Sequence, residues 1–151
     1  MSKLSLDHMA LPIYDAAATH AFYSGFLGLP LVSAMRGDDW GGREWLMMIF
    51  GLSDGREIAL VELRGDPRPA VKEPRYLPYF ALSAPDHAAL DVWIEKIKAA
   101  GLDHWLEDHG AQRSVYFPDP NGIMLEITAP PSAPGGASAV AERIVQDWPV
   151  R

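Results

Sequence analysis

The sequence predicts an α+β fold: two β-α-β-β-β modules forming a curved mixed sheet around a concave site. Three observations carry that expectation. A strand-helix unit near the start is repeated in the middle of the chain. Each repeat is followed by three short strand-like runs, the last two of them separated by a strong turn signal. The chain has 151 residues, 48% of them apolar and 22% charged, which suits a globular domain with a core of its own.

The first apolar run covers residues 6–13 and ends in Tyr14-Asp15; the second covers 77–84 and ends in Pro85-Asp86. Laid over each other, Ala10 meets Ala81, Leu11 meets Leu82 and Asp15 meets Asp86. Each aspartate stands where a helix N-cap belongs, because its carboxylate can accept from a backbone N–H that the first turn leaves unpaired. Ala18, Phe22 and Phe26 then recur at helical spacing, as do Leu90, Trp93, Ile94 and Ile97 in the second half. Both helices are expected to stop at a Gly-Leu pair, Gly28-Leu29 and Gly101-Leu102, with glycine in the left-handed cap.

Three strands follow each helix, at about 29–35, 45–51 and 57–63 in the first half and 104–108, 113–117 and 123–128 in the second. Ser53-Asp54-Gly55 and Pro118-Asp119-Pro120-Asn121-Gly122 supply the last turns. Extra residues at 35–43 read as an enlarged hairpin loop in the first half only. Residues 1–130 thus make one domain of modules 4–64 and 77–129, joined by a linker at 65–76. Residues 131–151 form a Pro-, Gly- and Ser-rich linker and a helix at 138–148, with Val140, Ile144, Val145 and Trp148 along one side. That stripe has to pack on the first module or on a second subunit, and a symmetric homodimer is expected.

Composition narrows the function. The formal net charge of −7 argues against nucleic acid or an anionic membrane as partner. The absence of cysteine excludes disulfides, thiolate zinc sites and cysteine nucleophiles. No signal-peptide pattern opens the chain and no apolar stretch is long enough to span a bilayer, so a cytoplasmic, soluble protein is expected.

Strand alternation then selects candidate residues. Met9, Leu11 and Ile13 suit packing under the first helix, Phe80 and Leu82 under the second, and Ile123, Leu125 and Ile127 on the last strand. His8, Glu62, Tyr79 and Glu126 are expected on the faces away from the helices, where they can converge. Glu126 stands inside the run Ile123-Met124-Leu125-Glu126-Ile127, and a carboxylate in a half-buried strand needs a partner.

The doubled module, together with Leu6-Asp7-His8-Met9-Ala10-Leu11, Phe22-Tyr23-Ser24-Gly25-Phe26-Leu27-Gly28-Leu29-Pro30 and Ser114-Val115-Tyr116-Phe117-Pro118-Asp119-Pro120-Asn121-Gly122-Ile123-Met124-Leu125-Glu126-Ile127, resembles the vicinal oxygen chelate superfamily. That group contains glyoxalase I, extradiol dioxygenases and the fosfomycin- and bleomycin-resistance proteins. The resemblance covers residues 4–129. It implies a divalent metal (Zn, Ni, Mn or Fe) held by His8 and Glu126, with Glu62 as third ligand or as catalytic base. Tyr79 stands where most members carry a histidine, and neutral phenol is a poor ligand. Tyr116 matches the position of a substrate-contacting tyrosine of extradiol dioxygenases. Arg113 is a candidate anion contact, and Trp40 and Arg43 occupy the enlarged loop as lid or clamp. The leading expectation is a metal-dependent enzyme: a glyoxalase-like lyase or isomerase, or a dioxygenase, acting on a small-molecule substrate chelated through two neighbouring oxygens. The alternative is a metal-free protein that binds an antibiotic or metabolite, with Tyr79, Trp40 and Tyr116 as aromatic walls.

Overall fold

The computed structural model describes residues 6–70, 78–132 and 138–146. The first module runs β1 (His8–Ile13), α1 (Ala16–His20), β2 (Leu31–Trp40), β3 (Arg43–Gly51) and β4 (Glu57–Leu63). The second runs β5 (Tyr79–Ser83), α2 (His87–Ala99), β6 (Trp105–Asp108), β7 (Arg113–Pro118) and β8 (Met124–Ala129), and α3 (Ala139–Gln146) follows. Each module makes a four-stranded mixed sheet, in the orders β1-β4-β3-β2 and β5-β8-β7-β6. In both, the first strand pairs parallel to the last and the other pairings are antiparallel. The repeat is therefore one of topology.

The helix starts form as the sequence dictates. The Asp15 carboxylate accepts from the Ala18 N–H at 2.9 Å, and that of Asp86 from the Ala89 N–H at 2.8 Å. α1 continues through residues 21–26 as wider π-helical turns, with the Leu27 N–H donating to the Phe22 carbonyl. This brings Phe22 and Tyr23 into the core and stacks Phe22 on Phe26, ring centroids 5.3 Å apart.

The expected loop at 35–43 is not a loop. β2 extends to Trp40 and β3 begins at Arg43, so the extra residues lengthen the hairpin ladder, with an irregularity between Gly37 and Trp40. The turn is Gly41-Gly42, both at positive φ (62° and 77°), which glycine adopts without a steric penalty and which matches the twist of a two-residue hairpin. Trp40 packs edge-on against Trp45 of the facing strand, and Arg43 is ion-paired with Asp66.

One core serves both modules. Ile13, Phe22, Tyr23, Phe50, Ile58 and Leu60 of the first cluster with Phe80, Leu90, Ile97, Val115, Phe117, Leu125 and Ile127 of the second. Phe22 and Phe26 reach Phe117, and Phe26 reaches Trp93 of α2. The helix-bearing sides of the two sheets thus face one interior, and their other faces turn away from it.

A buried polar junction closes this arrangement. Asn121 donates from its side chain to Thr19 Oγ1 at 2.8 Å and accepts the Tyr14 N–H at 2.8 Å. Asp119 accepts from the N–H groups of Asn121 and Ile123, from the Asn121 side chain and from the Tyr23 hydroxyl. Thr19, Tyr23, Asp119 and Asn121 are all buried. Burial pushes the Asp119 pKa up despite these four donors, and pushes the Tyr23 phenol far above its usual range.

α3 forms about where the sequence places it, but Val140 and Ile144 are 70% and 63% exposed. The expected cover from the first module is therefore missing for these two side chains. The Val145 side chain and Trp148 lie outside the described residues.

Asp119→Ala strands four donors inside the junction, and a loss of about 2–4 kcal/mol in urea unfolding is expected. The folded pKa of Asp119 is raised, so its contribution is fullest in acid and declines as pH rises through that value. The cost of the substitution should accordingly grow between pH 7 and pH 4; a cost that shrinks toward acid would contradict the assigned direction.

Candidate functional site

The outward face of the second sheet brings chemistry together. Register sets Ala81, Glu126, Tyr116 and Trp105 side by side across β5, β8, β7 and β6. One step along lie Tyr79, Met124 and Pro118; one step the other way lie Ser83, Thr128, Ser114 and Glu107. Trp105 and Tyr116 stack with centroids 4.9 Å apart and planes 9° from parallel. Tyr79 meets Tyr116 edge-on at 5.6 Å and 87°. The three rings form a row. Glu126 lies within it, only 7% exposed, while Tyr79 at the rim is 42% exposed.

Burial first, then the charge of Glu126 and hydrogen bonding to it, hold the Tyr116 phenol above the ordinary tyrosine range, and Glu107 adds to this. Tyr116 therefore stays a hydrogen-bond donor at any physiological pH, directed at an acceptor-only neighbour. Glu107 accepts from the Trp105 indole N–H at 3.0 Å, and His109 lies 3.3 Å from its other oxygen.

The remaining candidates lie elsewhere. Glu62 is not on an outward face. β1 and β4 pair Ile13 with Glu62 and Leu11 with Leu60, so Glu62 shares the helix side with core residues Ile58 and Leu60. Its Oε2 accepts the Ala16 N–H at 2.8 Å, which caps α1 where the helix dipole favours an anion. His8 does lie on an outward face, exposed, but on the first sheet and hydrogen-bonded through Nδ1 to Asp7 at 2.7 Å. Arg113 turns to the helix side and pairs with Asp91 of α2 at 3.0 Å. Trp40 and Arg43 belong to the β2–β3 hairpin.

His8, Glu62 and Glu126 are thus not brought together within one chain. Among the described residues no group of three or more His, Asp or Glu side chains is placed to hold a metal ion. Within one chain these residues do not form a donor set for the implied divalent metal.

Sequence reading missed Trp105 and Glu107. Their alternation on one short strand was visible, but their place beside Tyr116 follows from the β6–β7 register, which the sequence does not print. It also missed the Asn121 side chain, which it took for a turn residue alone.

The profile of the Glyoxalase/Bleomycin resistance protein/Dioxygenase superfamily matches residues 5–127. No curated protein matches the chain. Among solved structures, the glyoxylase/bleomycin resistance protein/dioxygenase domain from Frankia sp. EAN1pec superposes with a TM-score of 0.71 at 23% identity, covering 84% of this chain and 98% of that one. A mutant of the fosfomycin resistance protein FosX from Listeria monocytogenes, complexed with Mn(II) and 1S,2S-dihydroxypropylphosphonic acid, gives 0.64 at 20% identity, covering 95% and 99%. Lactoylglutathione lyase from Agrobacterium tumefaciens gives 0.60 at 22% identity, covering 82% and 92%. At these identities the likeness is one of fold.

Tyr116→Phe removes the donor beside Glu126 and is expected to destabilise the protein by on the order of 1–2 kcal/mol. In a Glu126→Met background the same substitution should be nearly neutral, since the acceptor is gone too. Equal costs in the two backgrounds, measured by urea unfolding, would show that the two side chains do not interact.

Proposed function

Because the chain belongs to the Glyoxalase/Bleomycin resistance protein/Dioxygenase superfamily, we propose that it binds a small organic molecule on the outward face of β5, β8, β7 and β6. The observation that carries this reading is the row Tyr79, Tyr116 and Trp105 beside a carboxylate more than nine-tenths buried. A face needed only for folding gains nothing from a buried carboxylate among rings, because desolvating the charge costs more than an apolar side chain of that size. Flat apolar walls with a few placed polar groups are the ordinary make-up of a ligand site. In this reading the rings hold a planar ligand, Glu126 accepts from it, and Tyr116 keeps the carboxylate in place. It corresponds to the metal-free alternative, a binding or resistance protein.

The metal-dependent reading, a glyoxalase- or dioxygenase-type enzyme, keeps one supporting observation. His8 and Glu126 both sit on outward faces, so a second copy of the chain could bring one protomer's His8 to its partner's Glu126. The first module's outward face also favours a second copy. Met35 and Trp40 are exposed there, alongside half-buried Met47 and Ile49. We therefore propose a symmetric homodimer in which the exposed apolar side chains of the first module's outward face pack against a second copy of the chain.

Metal analysis of protein purified without chelator or metal-affinity resin separates the readings. Well under one ion per chain is expected; a stoichiometric ion lost in both His8→Ala and Glu126→Ala variants would overturn the metal-free reading. Sedimentation at micromolar concentration should give a species of twice the 16.6 kDa chain mass. A single species at the chain mass would rule the dimer out.

A further inference from the structure

We infer that the ligand of the ring-bearing face is a flat organic cation, an aromatic amine or related heterocycle protonated at neutral pH. This rests on the binding reading above and adds the charge of the ligand to it.

The first support is the sign of the face. Its ionisable side chains are Glu126 and Glu107 from β8 and β6, with the phenols of Tyr79 and Tyr116. β5, β6 and β8 contain no Lys or Arg, and the single Arg of β7, Arg113, points to the helix side and is paired with Asp91. His109, beyond the end of β6, lies against Glu107, and His104 directs Nδ1 at the Leu102 carbonyl. On these four strands, then, two carboxylates lie on the outward side and no Lys or Arg does; beyond the strands, Arg68 donates to the Pro120 carbonyl of the β7–β8 turn. The chain as a whole carries −7, so its long-range field favours the approach of a cation.

The second support is the rings. Aromatic faces carry negative charge at their centres and attract a cation laid over them, Trp and Tyr more than Phe. Both residue types are present; Tyr116 is buried between Trp105 and Tyr79, so a ligand is offered the exposed ring of Tyr79 and the half-buried ring of Trp105. The same face offers an anion no charged donor: its fixed donors are the Tyr hydroxyls and an indole N–H already given to Glu107. A neutral ring could stack, but it would leave Glu126 with the neutral Tyr116 hydroxyl as partner and no opposite charge.

Isothermal titration of the full chain at pH 8 with three probes of nearly equal size tests this: 9-aminoacridine as cation, acridine as neutral ring and acridine-9-carboxylate as anion. The cation should bind at least about tenfold more tightly than acridine, and the anion most weakly. Glu126→Gln, shown to be folded by circular dichroism, should weaken 9-aminoacridine about tenfold while shifting acridine by less than about twofold. Equal affinity for cation and neutral ring, or a preference that survives Glu126→Gln, overturns the cation while the site stands, provided Tyr79→Ala and Trp105→Ala still weaken acridine. Binding of none of the probes, or binding indifferent to both ring substitutions, overturns the site and the cation together.

Discussion

The arrangement depends on a small buried polar junction. A turn of the second module inserts Asn121 between the Thr19 hydroxyl and the Tyr14 N–H of the first, and Asp119 gathers four donors behind it. Apolar packing between the modules is non-directional and would tolerate sliding. These hydrogen bonds do not, because a shift of one residue would strand several buried groups at once. The junction therefore fixes which strands of one module face which helices of the other, and the aromatic contacts of Phe22 and Phe26 with Phe117 and Trp93 fill the space it defines.

Docking the helix-bearing sides together has a direct consequence for function. Each sheet's second face is left pointing out, and the two are not alike. The first module's has Met35, Met47, Ile49 and Val61 at its middle, with His8 beside Glu57 at one end and Trp40 with Trp45 at the other. The second module's carries rings and carboxylates. Within one chain the faces do not meet, so a site drawing on both requires two chains, whereas the ring row with Glu126 is assembled by one sheet alone. Those side chains are neighbours by strand pairing, which positions them more firmly than a loop could.

Glu62 illustrates how one side chain changes meaning with register. Its strand, Glu-Ile-Ala-Leu-Val-Glu-Leu, is apolar on both faces, and alternation alone leaves open which face is buried. Pairing Ile13 with Glu62 assigns it to the helix side, at the α1 N-terminus, where an unpaired N–H and the helix dipole both favour a carboxylate. A residue that reads as a metal ligand by position is occupied with a structural task.

The sequence by itself determined the two modules, their element order, the aspartate caps and the alternation on β1, β5 and β8, because these follow from local rules: backbone capping, turn chemistry and the two-residue period of a strand. It also marked Tyr79 and Glu126 as side chains on the non-helix sides of their strands. The tertiary structure alone decided the rest. It turned the surplus residues at 35–43 into a longer ladder, since Gly41-Gly42 makes a tight turn and the flanking residues find partners across it. It moved Glu62 to the helix side, turned Arg113 onto Asp91, placed Trp105 and Glu107 beside Tyr116 and kept His8 apart from Glu126. Each of these depends on which strand lies beside which, and in what register. Register is set by long-range pairing and by the inter-module junction, and neither leaves a local trace in the order of the amino acids.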